Sequence, residues 1–581
     1  MMSKLSDDYL FVVAIDFGTT YSGYAFSSRD DFKRDPQKIV ANQAWNAGSQ
    51  RHLSLKTPTC LLLDNKEEFV SFGYEAENKY TDIVIDRQQN EYYFFQRFKM
   101  QLYKNKDIKG EMLIEDVTGK SLTAMKVFAK SIEALMLHSF DIFDQRGKEI
   151  KKTDIRWVLT VPAIWSDAAK QFMRKSAELA GIPNNQLLIA LEPEAASLYC
   201  QDLPIEKLQG ADKGYCMTEE GTRYMVVDNG GGTTDITIHQ KLTKGSLEEI
   251  CRASGGDCGG ISVDNSFYQI FVKLLGAPLL KIMKEKDPSA YLDIFRELEA
   301  IKRTVDKTNQ DNVTMSIPRA FLDEICKKHL HEDFEAVIKA SPYKSRMKVR
   351  FDKLRMETDL IKNLFKEPSE KIIQLITDAL NNKYTDLVSV ILLVGGFSDC
   401  KIIQDEIKAK FPKMRVIVPE EAGLAVLKGA VLFGHRPEQI VSRIVRYTYG
   451  VQYRPRFNPS IHDPARQVVT HGIPRCIDAF DIFVEIDSKV KLGSKIRKEF
   501  ATSREFQEFV SFPVFQTIQR SPKYTDEDSC THIGTLRLAI PNPSRNFRNL
   551  DVEFAFGHTE LKVTGYEMQS GAECETALEL I

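Results

Sequence analysis

The sequence lacks several features that mark particular classes of protein. Lysine and arginine (79) balance aspartate and glutamate (81), so no excess of one sign points to nucleic acid or to an anionic membrane. No run of 18 apolar residues occurs, and the N-terminus MMSKLSDDYL has no apolar signal core. The ten cysteines form no CxxC pair, which argues against a zinc site and favours free thiols in a reducing compartment. We expect a protein of the cytoplasm, with the nucleus as a second compartment, that neither spans a membrane nor binds nucleic acid.

Two common nucleotide-binding signatures are missing as well. The chain has neither the GxxxxGK[ST] sequence of P-loop enzymes nor a Rossmann GxGxxG followed by a ribose-binding acid. It has instead two turns that combine aspartate, glycine and threonine, at residues 16–20 (DFGTT) and 228–235 (DNGGGTTD). Each follows a short apolar run, so each is predicted to connect two strands. A third glycine turn, at residues 395–396, follows the apolar run 390–394.

The composition of these turns suits phosphate. Glycine lets backbone N–H groups approach an anion without a Cβ in the way, and threonine hydroxyls add further donors. The aspartates would repel a phosphate, and they make sense if a divalent cation or its water molecules lie between acid and phosphate. Two such loops, one from each half of a duplicated fold, would hold a nucleoside triphosphate from both sides.

The remaining pattern predicts an α/β region followed by a β-rich one. Strands alternate with helices up to about residue 434. Apolar spacing predicts helices over roughly 121–146, 166–180, 262–307, 352–382, 399–411 and 420–434. The second of these has Ser166 as its N-cap and Gly181 as its end. From about 446 to 570, short alternating runs between Pro, Gly, Asn and Asp clusters predict a β-sandwich-like domain.

The order of these motifs resembles that of the actin-like ATPase superfamily and, within it, the seventy-kilodalton heat-shock chaperones of the DnaK type. Seven segments carry the resemblance: 14–26, 159–181, 191–199, 226–238, 259–265, 298–306 and 391–407. The similarity is specific over residues 9–434 and continues more weakly to about 570. Details of the first, fourth and last segments look most like an atypical branch of the family called heat shock 70 kDa protein 12.

The resemblance implies a domain organisation. A two-lobed actin-like (duplicated ribonuclease-H-like) nucleotide-binding domain would occupy residues 9–436, with lobe I at about 9–215 and lobe II at about 222–436. It would be followed by a linker at 437–446, a β-rich substrate-binding-like domain at 447–570 without a helical lid, and a tail at 571–581.

The resemblance also assigns roles to individual residues. Asp16 and Asp235 would orient a hydrated Mg²⁺. Asp228 would orient or deprotonate the attacking water, and Glu192 would lie in the outer shell of the metal. The residues expected to contact ATP or ADP are Gly18, Thr19, Thr20, Tyr21, Gly230, Gly231, Gly232, Thr233, Gly259, Gly260, Glu299, Lys302, Arg303, Gly395, Gly396 and Phe397. Without the resemblance, the set at 299–303 would be interpreted as an exposed helical ion pair, and Glu192 as a carboxylate stabilised by a helix dipole.

Several positions depart from the chaperone pattern. The catalytic lysine of the family falls at either Phe98 or Lys99, and phenylalanine there would weaken stabilisation of the γ-phosphate. Phe397 and Asp399 stand where the family has serine and arginine, which removes a cation that packs on adenine. Leu188 replaces an arginine used in the response to J-domain cochaperones, so J-domain stimulation is not expected. The family linker is apolar, acid-flanked and docks when ATP binds, whereas the linker segment here is basic.

We therefore expect an atypical heat-shock-type chaperone that binds ATP with Mg²⁺, hydrolyses it slowly and couples nucleotide state to the binding of protein clients or signalling partners. A cleft without a lid would release peptide faster and admit bulkier partners. The alternative is a nucleotide-sensing scaffold without meaningful ATPase activity, which fits the ambiguous lysine position and the missing lid equally well. A sugar or metabolite kinase shares the two-loop core, but the chaperone-like segments and the β-rich region oppose that assignment.

Overall fold

The structure, a computed structural model, describes residues 9–42, 45, 55–105, 108–147, 150–211, 219–306, 312–470, 472–556 and 559–569. The predicted tail at 571–581 lies outside these residues. Within them the fold has two α/β lobes and a β-rich C-terminal region, which confirms the expected fold class.

Lobe I is built on a sheet that contains the first glycine turn. In spatial order its strands are Leu187–Leu191, Ile155–Val161, Phe11–Asp16, Tyr21–Ser28 and Val40–Ala41, with Thr57–Pro58 also paired to the fourth. The first three strands run parallel, and the third and fourth form an antiparallel hairpin. The central strands are buried along their whole length, as expected for strands with helices on both faces.

Lobe II repeats this arrangement around the second glycine turn. In spatial order its strands are Leu208–Gln209, Arg415–Pro419, Val388–Val394, Arg223–Asn229, Thr234–Lys241, Leu247–Gly256, Ile440–Ile444 and Lys489–Lys491. Here too, parallel strands lead to a hairpin whose turn carries glycine and threonine. The two turns therefore occupy equivalent positions in a duplicated sheet.

Helices cover both sheets. Those of lobe I are Arg29–Arg34, Tyr74–Ile85, Met100–Lys104, Ala124–Gln145, Asp167–Leu179 and Glu192–Gln201. Those of lobe II are Ile261–Leu275, Ala277–Lys286, Pro288–Thr304, Arg319–Leu330, Phe334–Ala340, Thr358–Lys362, Lys366–Leu380, Lys401–Lys410 and Ala422–His435. The predicted helix at 166–180 is confirmed, and the hydroxyl of Ser166 accepts from the amide of Ala169 at 3.2 Å.

Two helices join the lobes. Glu192–Gln201 and Ala422–His435 share one apolar core with both large sheets. They cross closely at a glycine, because a Cβ on Gly429 would lie 1.7 Å from the carbonyl oxygen of Ala195. The crossing of these helices therefore fixes how the strands that carry the two glycine turns face each other.

Smaller antiparallel sheets complete the lobes. In lobe I, Cys60–Asp64 lies between Phe69–Phe72 and Tyr92–Gln96, and Leu113–Glu115 pairs with Ser121–Thr123. In lobe II, Lys353–Met356 lies between Val313–Ser316 and Met347–Arg350. The prediction of a helix over 352–382 is wrong at its start. The alternating burial of Lys353–Met356 has the period of a strand, and helix begins only at Thr358.

The C-terminal region is antiparallel. Its larger sheet contains Ala479–Val484, Thr448–Tyr453, Phe509–Thr517 and Thr531–Ala539. A three-stranded sheet of Lys495–Ala501, Asn549–Ala555 and Lys562–Glu567 packs against it around one apolar core, and Gln467–Thr470 pairs with Ile473–Cys476.

The segment predicted to be a linker is part of lobe II in this structure. Pro437–Gln439 forms a single 3₁₀ turn, and Ile440–Ile444 then joins the large sheet beside Leu247–Gly256. On its other side, Ile440–Ile444 pairs antiparallel with Lys489–Lys491 from the C-terminal region. The two parts of the chain thus share one sheet.

Among the described residues, no single helix is long and apolar enough to cross a membrane, and only the sharply bent pair Ile261–Leu275 and Ala277–Lys286 passes such a test by length and composition. The described cysteines, at positions 60, 200, 251, 258, 326, 400, 476 and 530, are free thiols.

Candidate functional site

A cavity of about 390 Å³ opens between the two lobes. Every residue that the sequence assigns to the site lines it, apart from Asp235 and Gly259. Lys99, one of the two candidates for the catalytic lysine, also lines it, as do Leu55, Lys56, Asp399, Cys400, Glu421, Gly423, Leu424 and Val426. The duplicated sheets thus bring together residues that are hundreds of positions apart in the chain.

The first phosphate loop, residues 17–20, is held by its neighbours. The amide of Gly18 donates to the hydroxyl of Ser22 at 3.2 Å, and its carbonyl accepts from the hydroxyl of Thr59 at 2.8 Å. A Cβ on Gly18 would lie 2.1 Å from the carbonyl oxygen of Tyr21, so the turn needs glycine at this position.

The second phosphate loop, residues 230–233, faces the first at close range. A Cβ on Gly231 would lie 2.3 Å from the hydroxyl oxygen of Thr20, and one on Gly232 would lie 2.8 Å from that of Thr19. Glycine at these positions therefore allows the two loops to approach each other across the cavity.

Gly259 and Gly260 differ in what they contact. The amides of Gly259, Gly260 and Ile261 donate to the carbonyls of Gly232, Gly230 and Gly231. Gly260 lines the cavity, whereas Gly259 packs against the second loop, where its Cβ would lie 2.6 Å from two carbonyl oxygens. Gly259 therefore braces the phosphate loop and does not itself face the cavity.

Four acidic side chains are buried together beside the loops: Asp16, Glu192, Asp228 and Asp235. Burial raises the pKa of Glu192 to about 7, despite the attraction of a neighbouring lysine. Burial and the charges of the other three acids raise the pKa of Asp228 well above its usual range. Burial also raises the pKa of Asp235, although its Oδ1 accepts from the amide of Ile164 at 2.9 Å.

Two lysines contact this acidic cluster. The ammonium of Lys99 lies 2.8 Å from Glu192, with only 2% of its side chain exposed. Phe98 instead packs in the core of lobe I against Phe17 and Phe128. The sequence left both positions open as the catalytic-lysine position, and in the structure Lys99 faces the cavity. The second lysine, Lys56, was not found from the sequence.

Lys56 makes an ion pair with Asp16. Its ammonium lies 2.6 Å from Oδ2 of Asp16, while Oδ1 accepts from the hydroxyl of Thr160 at 2.9 Å. Burial would raise the pKa of Asp16, but the charge and hydrogen bond of Lys56, together with Lys99 and Thr160, hold that pKa below its usual range. No local pattern in the sequence marks Lys56, because its partner lies 40 residues away on another strand.

The acidic cluster fits a hydrated Mg²⁺. Burial raises the pKa values of three of its four acids, and a cation among them would favour their charged forms. Among the described residues, no group of three or more His, Cys, Asp or Glu side chains could hold a metal directly. Mg²⁺ keeps several of its water molecules and needs few protein ligands. Asp16 and Asp235 are the residues that would hold it through water.

The other end of the cavity carries a charged set on the helix Pro288–Thr304. Glu299 contacts Lys302 at 2.6 Å and Arg303 at 3.2 Å, so the expected helical ion pairs are present. The pair with Lys302 is not exposed, because Lys302 is buried and also contacts Asp264 at 2.7 Å, whereas 55% of the Arg303 side chain is exposed. The ion pairs hold the pKa of Glu299 below its usual range despite burial.

The third glycine turn closes this end. Gly395 has a φ of 83°, and a Cβ there would lie 2.3 Å from Oδ1 of Asp228. Gly396 is different, because nothing lies within 4 Å of where its Cβ would be, which leaves backbone open to the cavity. Phe397 is buried beside Gly260. Burial raises the pKa of Asp399, while the charges of Arg303 and Lys56 oppose the rise.

The sequence model of the family described as Hsp70 protein matches residues 12–456. Heat shock 70 kDa protein 12A of Homo sapiens is 32% identical, and the match covers 99% of this chain and 92% of that protein. The Mus musculus protein of the same name gives the same identity and coverage. Heat shock 70 kDa protein 12B of Homo sapiens is also 32% identical, over 98% of this chain and 91% of its own.

Proposed function

Because the chain belongs to the Hsp70 family and is an Hsp70-type nucleotide-binding protein, we propose that it binds ATP and ADP with Mg²⁺ between its lobes, hydrolyses ATP slowly, and couples the bound nucleotide to the binding of a protein client. The observation that carries the proposal is the convergence of three glycine turns and three buried acids on one cavity, with Asp235 buried beside them. The partners would be client or signalling proteins of the cytoplasm.

Each part of the cavity has a task in nucleotide binding. The amides and threonine hydroxyls of the two phosphate loops would donate to phosphate oxygens. Glu299, Lys302 and Arg303 would contact the ribose and base, with the open backbone of Gly396 beneath them. Mg²⁺, when bound, would offset the phosphate charge and polarise the γ-phosphate.

Hydrolysis would depend on two further groups. Asp228 is buried beside the second loop and lines the cavity, where its carboxylate would orient or deprotonate a water molecule. The ammonium of Lys99 would stabilise charge that develops on the γ-phosphate, and its contact with Glu192 fixes its position. Little covalent chemistry is needed, because phosphoryl transfer relies on positioning and charge.

Coupling to the C-terminal region would run through contacts that already join it to lobe I. Tyr449 donates to Asp167 at 2.6 Å, and Arg174 pairs with Glu560 at 2.6 Å. Closing or opening the lobes around a nucleotide would change these contacts. The affinity of the C-terminal region for a client protein would change with them.

A nucleotide-sensing scaffold without ATPase activity is the second candidate. The ion pair between Lys56 and Asp16 favours it, because that ammonium lies where Asp16 would meet the hydrated metal. Both candidate functions require nucleotide binding, and they differ only in whether bound ATP is hydrolysed.

The test is equilibrium binding of ATP with Mg²⁺, followed by turnover, in the native protein and in Asp16→Ala and Asp235→Ala. We expect each substitution to remove most of the gain in affinity that Mg²⁺ gives, since each removes a buried charge beside the metal. Asp86→Ala is a matched control, because Asp86 is exposed at a helix end of lobe I. Equal affinities in all four proteins would refute the metal assignment.

A further inference from the structure

The ammonium of Lys56 contacts Oδ2 of Asp16, the acid that we expect to orient Mg²⁺. The ammonium nitrogen lies 2.6 Å from Oδ2, and the exposed fractions of the two side chains are 19% and 7%. Oδ1 of the same carboxylate already accepts from Thr160. Both oxygens of Asp16 are thus engaged by this chain's own donors.

The backbone of Lys56 is fixed against the first phosphate loop. The next two residues form the strand Thr57–Pro58, in which Thr57 pairs with Ser22. The amide of Thr59 then donates to the carbonyl of Thr20 at 2.8 Å. Gly23 leaves room for the lysine stem, because a Cβ there would lie 3.1 Å from Cγ of Lys56. The backbone and the start of the Lys56 side chain are therefore fixed beside the loop.

The charge of Lys56 also reaches across the cavity. It opposes the rise in the pKa of Asp228, beside the second phosphate loop, and of Asp399, beside the third glycine turn. Both acids belong to lobe II, whereas Lys56 belongs to lobe I. Lys56 therefore faces the space in which the phosphates of a bound nucleotide would lie.

We propose that Lys56 is a phosphate-binding residue whose ammonium supplies part of the charge otherwise supplied by Mg²⁺, so that ATP and ADP stay bound when Mg²⁺ is removed. The inference rests on the proposed function, since it concerns the same site. A lysine ammonium is a compact point charge on a flexible stem, so it can turn from Asp16 to a phosphate without moving the backbone. It also competes with the hydrated metal for Asp16, which lowers the benefit of adding Mg²⁺.

The test compares dissociation constants for ATP and ADP in excess Mg²⁺ and in excess EDTA, by calorimetry. In the native protein we expect EDTA to weaken binding by less than about tenfold, because one lysine–phosphate contact replaces much of the metal's contribution. In Lys56→Met we expect EDTA to weaken binding by about a hundredfold or more. Lys56→Arg keeps the charge and should restore most of the binding in EDTA.

The ratio of the dissociation constants in EDTA and in Mg²⁺ distinguishes phosphate binding by Lys56 from a purely structural role. A loss of packing would weaken binding equally with and without Mg²⁺. Lys38→Met is the matched control, because Lys38 is exposed and pairs with Asp31 away from the cavity. The proposal is overturned if the native protein loses binding in EDTA, or if Lys56→Met has the native ratio. Should the methionine variant not fold, Lys56→Gln serves the same comparison. Failure of the native protein to bind nucleotide even with Mg²⁺ would refute the proposed function as well.

Discussion

Arg443 donates from Nε and Nη2 to the two carboxylate oxygens of Glu194, at 2.8 and 2.7 Å, and both side chains are buried. Arg443 belongs to Ile440–Ile444, the strand that leads to the C-terminal region. Glu194 lies two residues after Glu192, in the helix that begins at the cavity. One ion pair therefore connects the helix that carries a site acid to the strand that carries the C-terminal region.

We predict that breaking this pair destabilises the joined sheet. Arg443→Met leaves Glu194 as an unpaired buried charge, which should cost about 3–5 kcal/mol in the free energy of unfolding. Adding Glu194→Gln should recover part of the loss, because the two residues act as one unit. Urea unfolding, together with proteolysis within residues 437–446, measures both effects.

Arg466→Met is the control, since Arg466 pairs with the exposed Asp526. This substitution should lower the free energy of unfolding by less than about 1 kcal/mol. Equal losses of unfolding free energy in Arg443→Met and Arg466→Met would contradict the prediction.

A second prediction concerns Glu249, which accepts from the amide of Ile444 at 2.7 Å. Burial and the charge of Glu194 raise its pKa to about 8, although Arg443 and Arg446 oppose the rise. The folded state therefore binds more protons than the unfolded state between about pH 4.5 and pH 8, so stability falls as pH rises through that window. The contribution of this one group is up to about 1.4 kcal/mol per pH unit.

Glu249→Gln should remove that contribution, because glutamine keeps an acceptor for the Ile444 amide and does not ionise. Unfolding free energies measured across the window should then fall less steeply in the variant than in the native protein. Parallel pH profiles would show that Glu249 is not the group responsible.

Lys99 should matter for turnover more than for binding. Lys99→Met removes the ammonium that would stabilise the γ-phosphate, and we expect ATP turnover to fall by about a hundredfold or more. The affinity for ADP, which lacks that phosphate, should change little. Lys104→Met is the control, because Lys104 is an exposed residue in the helix Met100–Lys104. A variant with native turnover would remove Lys99 from the mechanism.

Glu299 provides a test of the nucleoside end. Glu299→Ala should lower nucleotide affinity by about tenfold, because it removes the acid that positions Lys302 and Arg303. Glu285→Ala alters a comparable helical ion pair with Lys281, which is exposed. If calorimetry gives the two variants the same affinity, Glu299 has only the role of a helical ion pair.

The parts of this structure that sequence could predict are those encoded locally. Ser166 caps its helix as expected, because a cap depends only on its immediate neighbours. The glycine turns were found because each follows an apolar strand in a recognisable order. The helix predicted over 352–382 was placed too early, because the short alternating strand Lys353–Met356 lies directly before the helix that begins at Thr358.

Long-range relationships were beyond the sequence. Whether Phe98 or Lys99 faces the cavity is set by the turn at Arg97, whose φ of 54° is left-handed and reorients the chain after the strand Tyr92–Gln96. The strand Ile440–Ile444 forms only because the edge of Leu247–Gly256 is available to it. Lys56 meets Asp16 through the pairing of separate strands. The last two depend on residues far away in the chain, and the first depends on a left-handed turn that no glycine marks.

The most direct measurement is single-turnover hydrolysis of ATP with Mg²⁺ by the purified protein, beside Asp228→Ala. We predict slow hydrolysis in the native protein and its loss in the variant, with nucleotide still bound. Tight binding without hydrolysis in either protein would contradict the ATPase cycle and favour the nucleotide-sensing scaffold. Hydrolysis that survives in Asp228→Ala at the native rate would contradict the assignment of Asp228.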